Sequence, residues 1–430
     1  MIRRTLPLLL LAAFSCSAAM GQINCLSGPA ATKLVCEFPF ATGTLSDYTA
    51  FNGTSNTSTV TNSAVQAATA INVGVATQLS QLPLASASAG TVVLYKQGVP
   101  VTYDNLGPIM TDRAQTVGKH RFFLGASGSQ FVFTDIDGQP MSALPFSVYL
   151  TAYNPTNSSQ ILSTTYTTEQ TRLQFRMNQF VGVATLGLTD RFDISAIVPY
   201  ERISIAATTT NSVSYVVDAS GNLLSKTSNA SIYAPGSANG VGDVEFNAKY
   251  ELWKGDHGTF SGAMNVRTPT GDDLNLLGSG AWGFNPYLVY SYLAKVSPHA
   301  KIGYQWNTQT ELNNPTGAGK QALPGGIQFG VGADWAVRRR VTIAADVLGN
   351  QYLNTPNDVL QATTVTIPGT NSALKTETAS NSTYTITDFS SGLKWNPTRG
   401  LVFSCNVLLQ MNNNGLRSRP TPSLGISYKF

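Results

Sequence analysis

An antiparallel β-barrel that crosses a membrane is the fold class this sequence predicts. Three observations predict it. The N-terminus reads as an export leader, the second half of the chain alternates apolar and polar residues in hairpin-sized runs, and no apolar run after the leader is long enough for a membrane helix.

The leader comes first because it decides the compartment. Met1-Ile2-Arg3-Arg4 is basic, and Leu6 to Phe14 is apolar but far short of the roughly twenty residues a spanning helix needs. Small residues follow, and Ala19-Met20-Gly21 fits the small-x-small rule, so cleavage is expected before Gln22 and residues 1–21 are expected to be a signal peptide. A lipoprotein anchor at Cys16 is disfavoured because Ala13-Phe14-Ser15 lacks the upstream Leu.

Composition narrows the class further. Charged residues make up 12% of the 430, about half the usual share, while Gly, Ser, Thr and Asn are abundant. Such a chain is hard to keep soluble as a globule but suits a barrel that hides half its strand side chains in lipid. The net charge of +4 is small, and no basic stripe with interleaved aromatics appears, so a nucleic-acid partner is not expected. Cys25 and Cys36 lie close together in an exported segment and form a disulfide candidate. Cys405 falls on an apolar strand face, where a thiol acts as a small hydrophobe. No metal-ligand spacing and no cofactor fingerprint is present.

Residues 22–118 do not read as barrel. Gly43 to Asn62 is a Ser/Thr/Asn-rich linker. Val65, Ala68, Ile71, Val75, Leu79 and Leu82 recur every three or four positions, which predicts a short amphipathic helix over about 62–82. This segment is expected to plug the lumen, to lie in the periplasm, or to bind a partner.

The barrel is expected over 119–430. Val244 to Leu252 alternates without a break, Trp253 to Gly258 turns, and Phe260 to Arg267 alternates again, which is a hairpin. The unit recurs and predicts strands at about 119–134, 172–188, 192–206, 243–253, 259–268, 283–294, 300–309, 326–336, 341–353, 383–395, 401–411 and 420–430. That is twelve, and an even number returns both termini to the periplasm. A hairpin from 146–153 or 212–226 would make fourteen, and Asp218 to Asn222 reads as a turn tip. Short turns near 190, 256, 297, 338 and 398 alternate with longer connections at about 207–241, 269–282, 310–325 and 354–382. A soluble sandwich would also alternate, but it has no reason to sort its loops by length. Trp253, Trp335 and Trp395 stand at short-turn ends and Trp282 and Trp306 at long-loop ends, which predicts two interfacial aromatic girdles. Leu424 to Phe430 alternates up to a terminal Phe, the expected signal for the barrel-assembly machinery.

The polar face of each strand supplies the lumen candidates: Glu245, Lys249, Glu251, Arg267, Lys301, Gln305, Gln328, Asp334, Asp346 and Lys394. Opposed charges on a lumen wall give a channel its selectivity; the other reading is a salt-bridged, filled barrel. Asp243, Asp272 and Asp273 are loop-mouth candidates. No catalytic residue is proposed: a nucleophilic Ser needs a base within hydrogen-bond reach, and none of His120, His257 and His299 has Ser two positions on. Asp135-Ile136-Asp137-Gly138 echoes a calcium loop but lacks its remaining ligands, so a turn is expected.

Gly240-Val241-Gly242-Asp243-Val244 with Lys249-Tyr250, then Arg267-Thr268-Pro269-Thr270-Gly271-Asp272, then Gly278-Ser279-Gly280-Ala281-Trp282 form an ordered set. It resembles the outer-membrane family named for the meta-pathway of phenol degradation, over about residues 170–430. The resemblance implies kinship with channels for hydrophobic solutes. The expected protein is therefore a porin-like outer-membrane channel of a Gram-negative cell for passive uptake of small, hydrophobic or aromatic solutes, with lipid, the assembly machinery and the solute as partners. The alternatives are a structural or adhesive barrel with a filled lumen and, third, a lipid-active enzyme.

Overall fold

The structure is a computed structural model that describes residues 34, 58–61, 74–75, 77–79, 81–82, 92–96, 99–103, 105–154, 157–228, 230–310, 312, 320–367, 369, 373–398 and 400–430. The expected signal peptide, Cys16 and the Cys25–Cys36 disulfide lie outside the described residues.

Every wall strand pairs antiparallel with its neighbour in sequence, so the chain winds once round a ring. The wall is β1 (Phe122–Ile136), β2 (Asn157–Gly187), β3 (Phe192–Asp218), β4 (Ile232–Val241 and Glu245–Lys254, one strand broken in the middle), β5 (Gly258–Arg267) and β6 (Gly283–Tyr292). It continues with β7 (Val296–Asn307), β8 (Gly326–Arg338), β9 (Val341–Thr366), β10 (Ala373–Thr398), β11 (Leu401–Gln410) and β12 (Thr421–Lys429). β1 pairs with β2 along Phe122–Phe133 and with β12 along Phe123–Ser129, which closes the ring and leaves the wall without an edge. At the seam the Phe430 amide donates to Phe122 O at 2.8 Å, and the two rings sit 6.0 Å apart. The twelve strands are those expected from the alternation.

Alternation explains which face meets lipid. On β6 buried and exposed residues alternate without a break, with Phe284, Leu288, Tyr290 and Tyr292 outward. Ile302 and Tyr304 on β7, Val331 and Trp335 on β8, Leu393 on β10, and Leu424 and Ile426 on β12 are also exposed. A closed wall of strands with an apolar belt satisfies every ladder hydrogen bond and leaves hydrocarbon as the only suitable solvent for its outer face, so the protein sits in the outer membrane. All five tryptophans face outward at or near strand ends. Trp253 gets there through a bulge between Glu251 and Trp253, which puts Leu252 and Trp253 on the same side.

Several expectations are corrected. The connections 207–241 and 354–382 are largely strand: β3 runs on to Asp218, Leu223–Ser228 pairs back on it, and β9 and β10 stay paired from Thr355–Ser382 to Thr366–Ala373. These stretches carry Ser, Thr and Asn instead of apolar residues because they stand beyond the bilayer, so the lipid-facing pattern was absent while the ladder persisted. The fourteen-strand alternative fails for the same reason: Leu144–Asn154 pairs only with the outer half of β2 and with Ser58–Thr61, and adds no wall strand. Ser58–Thr61 was expected to be linker. The hairpin Val92–Lys96 and Val99–Tyr103 was not anticipated. The Asp218–Asn222 tip is a turn as expected: Gly221 has φ +86°, and Asp218 Oδ1 accepts from the Ser220 and Asn222 amides at 2.9 and 2.8 Å. Those bonds, with the Asn222 side chain foremost, hold the exposed Asp218 carboxyl below its usual value. Asp137 and Gly138 form a tight turn with φ +49° and +76°.

The uniformly polar lumen is also corrected. On β2 and β3 the inward residues Leu173, Phe175, Met177, Ile203 and Ile205 are apolar, while Arg172, Gln174, Arg176 and Arg202 face out. The outward face changes character where Asn178 pairs with Arg202; one step nearer the short turn, Phe180 pairs with Tyr200 and both face out, while Val181, Val183 and Ile197 stay buried and apolar inside. Beyond that level water lies outside the wall, so the wall buries its apolar face inward like any soluble sheet.

Candidate functional site: the barrel lumen

The lumen is occupied by the chain's own N-terminal segment. Gly74, Val75, Thr77, Gln78 and Leu79 are helical, on the expected helix, and Val75 and Leu79 pack with Phe131, Phe133, Phe175 and Met177 in the apolar core toward the long-loop end. Gln78 ties in by accepting the Leu416 amide.

Nearer the short turns, residues 105–118 run across the lumen as irregular chain. They have no secondary-structure ladder, so their polar groups need partners from the wall. Lys249 Nζ donates to Arg113 O at 2.8 Å, Ser261 Oγ to Ala114 O at 2.5 Å, and Lys394 Nζ to Pro108 O. In the other direction the Thr116 amide donates to Glu251 Oε1 at 2.7 Å, the Val117 amide to Asp193 Oδ2 at 2.8 Å, and the Leu106 amide to Thr342 Oγ1 at 3.0 Å. Thr111 Oγ1 donates to Asp346 Oδ1 at 3.0 Å, and Asp112 pairs with Lys301 at 3.4 Å while accepting Tyr287 Oη at 2.7 Å.

All ten lumen candidates face inward, but they split in two. Lys249, Glu251, Asp334, Asp346 and Lys394 sit at the level of residues 105–118, where most of them clasp the backbone of that segment. Glu245, Arg267, Lys301, Gln305 and Gln328 surround a cavity of about 160 Å3 left between Gln81–Leu82 on one side and Met110–Asp112 on the other.

Sequence reading missed two features of this interior. Asn247, Asn265 and Asn285 face the cavity, although each stands two residues from a residue of known parity (Glu245, Arg267 and Tyr287) and could have been placed by that alone. His299, expected beside a turn, is within β7, with Nε2 2.6 Å from Asp346 Oδ1 and Nδ1 3.7 Å from Asp334 Oδ2. Gly332 makes room for it, since a Cβ there would lie 2.7 Å from His299 Nε2. Ser297, two positions before His299, donates to Ala294 O at 2.9 Å and accepts from Asn105 at 2.9 Å, so its hydroxyl is not aimed at the imidazole.

The three quoted motifs converge on one carboxylate. Asp243 lies in the break of β4, buried, which corrects its placement at an open loop mouth. It accepts the Gly271 amide at 3.1 Å, the Ser279 amide at 2.8 Å and Ser279 Oγ at 2.6 Å, and pairs with Arg267 at 3.6 Å. Thr268 Oγ1 donates to Val244 O at 2.8 Å, and Thr270 Oγ1 donates to Gly242 O at 3.0 Å and accepts the Val244 amide at 2.9 Å. The motifs therefore seal a gap in the wall ladder. Asp272 accepts from Asn275 Nδ2 at 2.8 Å, and Asp273 opens a short 3-10 turn.

Residues 154–362 match the family described as "Putative MetA-pathway of phenol degradation", a stretch that begins before and ends short of the expected 170–430. Among solved structures, an outer membrane channel from Pseudomonas putida F1 is similar at 14% identity, over 74% of this chain and 98% of that one, with a TM-score of 0.43. A Pseudomonas aeruginosa FadL homologue aligns at 11% identity over 72% of this chain and 89% of its own, with a TM-score of 0.31. The CymD monoaromatic hydrocarbon channel aligns at 9% identity over 73% and 88%, with a TM-score of 0.27. No curated protein matches the sequence. The three motifs lock together inside the matched stretch, so the match to the phenol-degradation MetA-pathway family falls on the elements that close the break in β4 of this outer-membrane β-barrel.

Proposed function

We propose that the protein is a passive channel for small solutes across the outer membrane, kept closed by its own N-terminal segment. The observation that carries this reading is the lining of charged and amide side chains on β4 to β10, which grips residues 105–118 mainly through hydrogen bonds and holds an unfilled space beside them. Hydrogen bonds to backbone exchange with water at modest net cost, so a segment held this way can be displaced. The family's description and the hydrocarbon channel among the aligned structures speak for small organic solutes. Residues 22–118 act as the plug, and Phe430 at the seam presents the C-terminal strand to the assembly machinery.

The structural alternative draws on the same filling: a lumen held shut permanently would make a rigid, non-conducting barrel. Planar-bilayer conductance separates the two. The full chain is expected to conduct weakly, and a variant lacking residues 62–118 to conduct strongly. Lys249→Gln with Glu251→Gln loosens the clasp without removing the segment and is expected to raise the open fraction. A truncated barrel that folds but passes no more current than the full chain would favour the structural reading.

A further inference from the structure

The closed lumen contains a cavity whose chemistry is more specific than a pore lining. Its volume of about 160 Å3 is close to the roughly 150 Å3 known to hold one benzene ring, so it accepts one six-membered ring. Its charged side chains already have partners. Lys301 pairs with Asp112 at 3.4 Å, Arg267 with Asp243 at 3.6 Å and Arg417 with Asp388 at 2.7 Å, and Glu245 accepts from Asn265 Nδ2 at 2.6 Å. An anionic solute would have to draw Lys301, Arg267 or Arg417 from its carboxylate and leave that carboxylate buried and alone.

The amides are in the opposite condition. Asn247 stands opposite Asn265 across the β4–β5 ladder, Asn265 opposite Asn285 across β5–β6, and Gln328 opposite Asn350 across β8–β9. Asn285 donates to Gln328, which links the two rows. In this belt Asn265 Oδ1 and Asn285 Oδ1 are buried with no hydrogen-bond partner among the described residues, and so is Gln81 Nε2 across the cavity. Asn285 is 4% exposed. A buried polar atom left without a partner is destabilising, so each favours a ligand that bonds it.

From these observations we infer that the cavity is a binding site for one uncharged cyclic polyol, of the size of a single sugar ring. A hydroxyl both donates and accepts, so it satisfies an amide in either orientation. Asn265 and Asn285 stand on neighbouring strands whose backbones are about 4.8 Å apart, each with its own bare acceptor, so two donors are needed and a ring with a single hydroxyl leaves one of them bare. Leu82, Met110, Leu348 and Ile386 supply the apolar wall that a sugar ring's C–H face requires. The inference relies on the channel reading only for how the solute arrives.

The test is isothermal titration of the detergent-purified full chain with myo-inositol, D-glucose, phenol, toluene and acetate. Myo-inositol or glucose is expected to bind at millimolar concentration or below, with phenol, toluene and acetate at least tenfold weaker. Asn285→Leu and Asn265→Leu are each expected to weaken polyol binding at least tenfold, and Ile302→Val on the lipid face to leave it unchanged. Should the Asn285 variant not fold, Asn247→Leu probes the same row from its other end. Absence of polyol binding, tighter binding of phenol or toluene, or polyol binding indifferent to the asparagines would overturn the assignment. Polyol binding without conductance would support the site and count against the channel reading, and conductance without polyol binding would do the reverse, so the two failures are distinguishable.

Discussion

Asp243 is the residue on which the family motifs meet, and its burial sets the size of the effect. Asp243→Ala removes the acceptor for Gly271 and Ser279 and takes the nearest carboxylate from the buried Arg267. A loss of about 3–5 kcal/mol is expected in thermal unfolding of the purified barrel, as for breaking one side of a buried pair. Gly278→Ala is expected to behave alike, because its Cβ would lie 2.5 Å from Asp243 Oδ1 and 2.8 Å from Gly271 Cα. The residue types were legible and their job was not: Asp243 read as a loop-mouth group because nothing local shows that loops some 30 residues on fold back over it. Asp218 is a milder case. Its hydrogen bonds lower its pKa in the folded turn, so their contribution is present above the ordinary carboxylate value and is lost as pH falls through the lowered one. Protease cleavage within 219–222 is therefore expected to stay constant from pH 7 to about pH 5, and Asn222→Ala to raise it; a rise across that window in the parent chain would contradict the turn geometry.

At the scale of elements, strands inside the bilayer announce themselves and strands outside it do not. β6 was readable to within a residue or two because Phe284, Leu288, Tyr290 and Tyr292 had to meet lipid while Asn285, Tyr287 and Val289 did not. The outer halves of β9 and β10 meet no lipid, so their Thr and Ser runs looked like loop although the ladder continues to Thr366–Ala373. The outer halves of β2 and β3 depart from the expected polar lumen for a related cause. Period two identifies a strand but not which face is inside, and beyond the Phe180–Tyr200 level the solvent outside changes from lipid to water. That boundary is testable: Ile302→Arg on β7, 56% exposed and mid-strand, is expected to cost about 2–4 kcal/mol of barrel stability. Gln174→Arg on the outer half of β2 is expected to cost nothing measurable. Segment 105–118 had no periodic signature at all, because its order comes from side chains of distant strands such as Lys249 and Lys394.

The molecule as a whole is a lipid-embedded wall around a lumen filled by its own chain. The wall needs only alternation and an even number of crossings, which is why its closure between β1 and β12 could be foreseen. The filling needs matched polar partners across long sequence separations, which is why only its apolar helix could be. Conductance and titration address what the lumen does, but both presuppose that Lys249 and Tyr250 live in different solvents. Single cysteines placed from Glu245 to Leu252, in a Cys405→Ser background and labelled with nitroxide in liposomes, report this directly. Collisions with oxygen are expected to be highest at 246, 250 and 252, and labels at 245, 247, 249 and 251 to be shielded from it. Equal oxygen access along the whole run, or an aqueous relaxant reaching Phe246 and Tyr250 as freely as the loops, would contradict the barrel account.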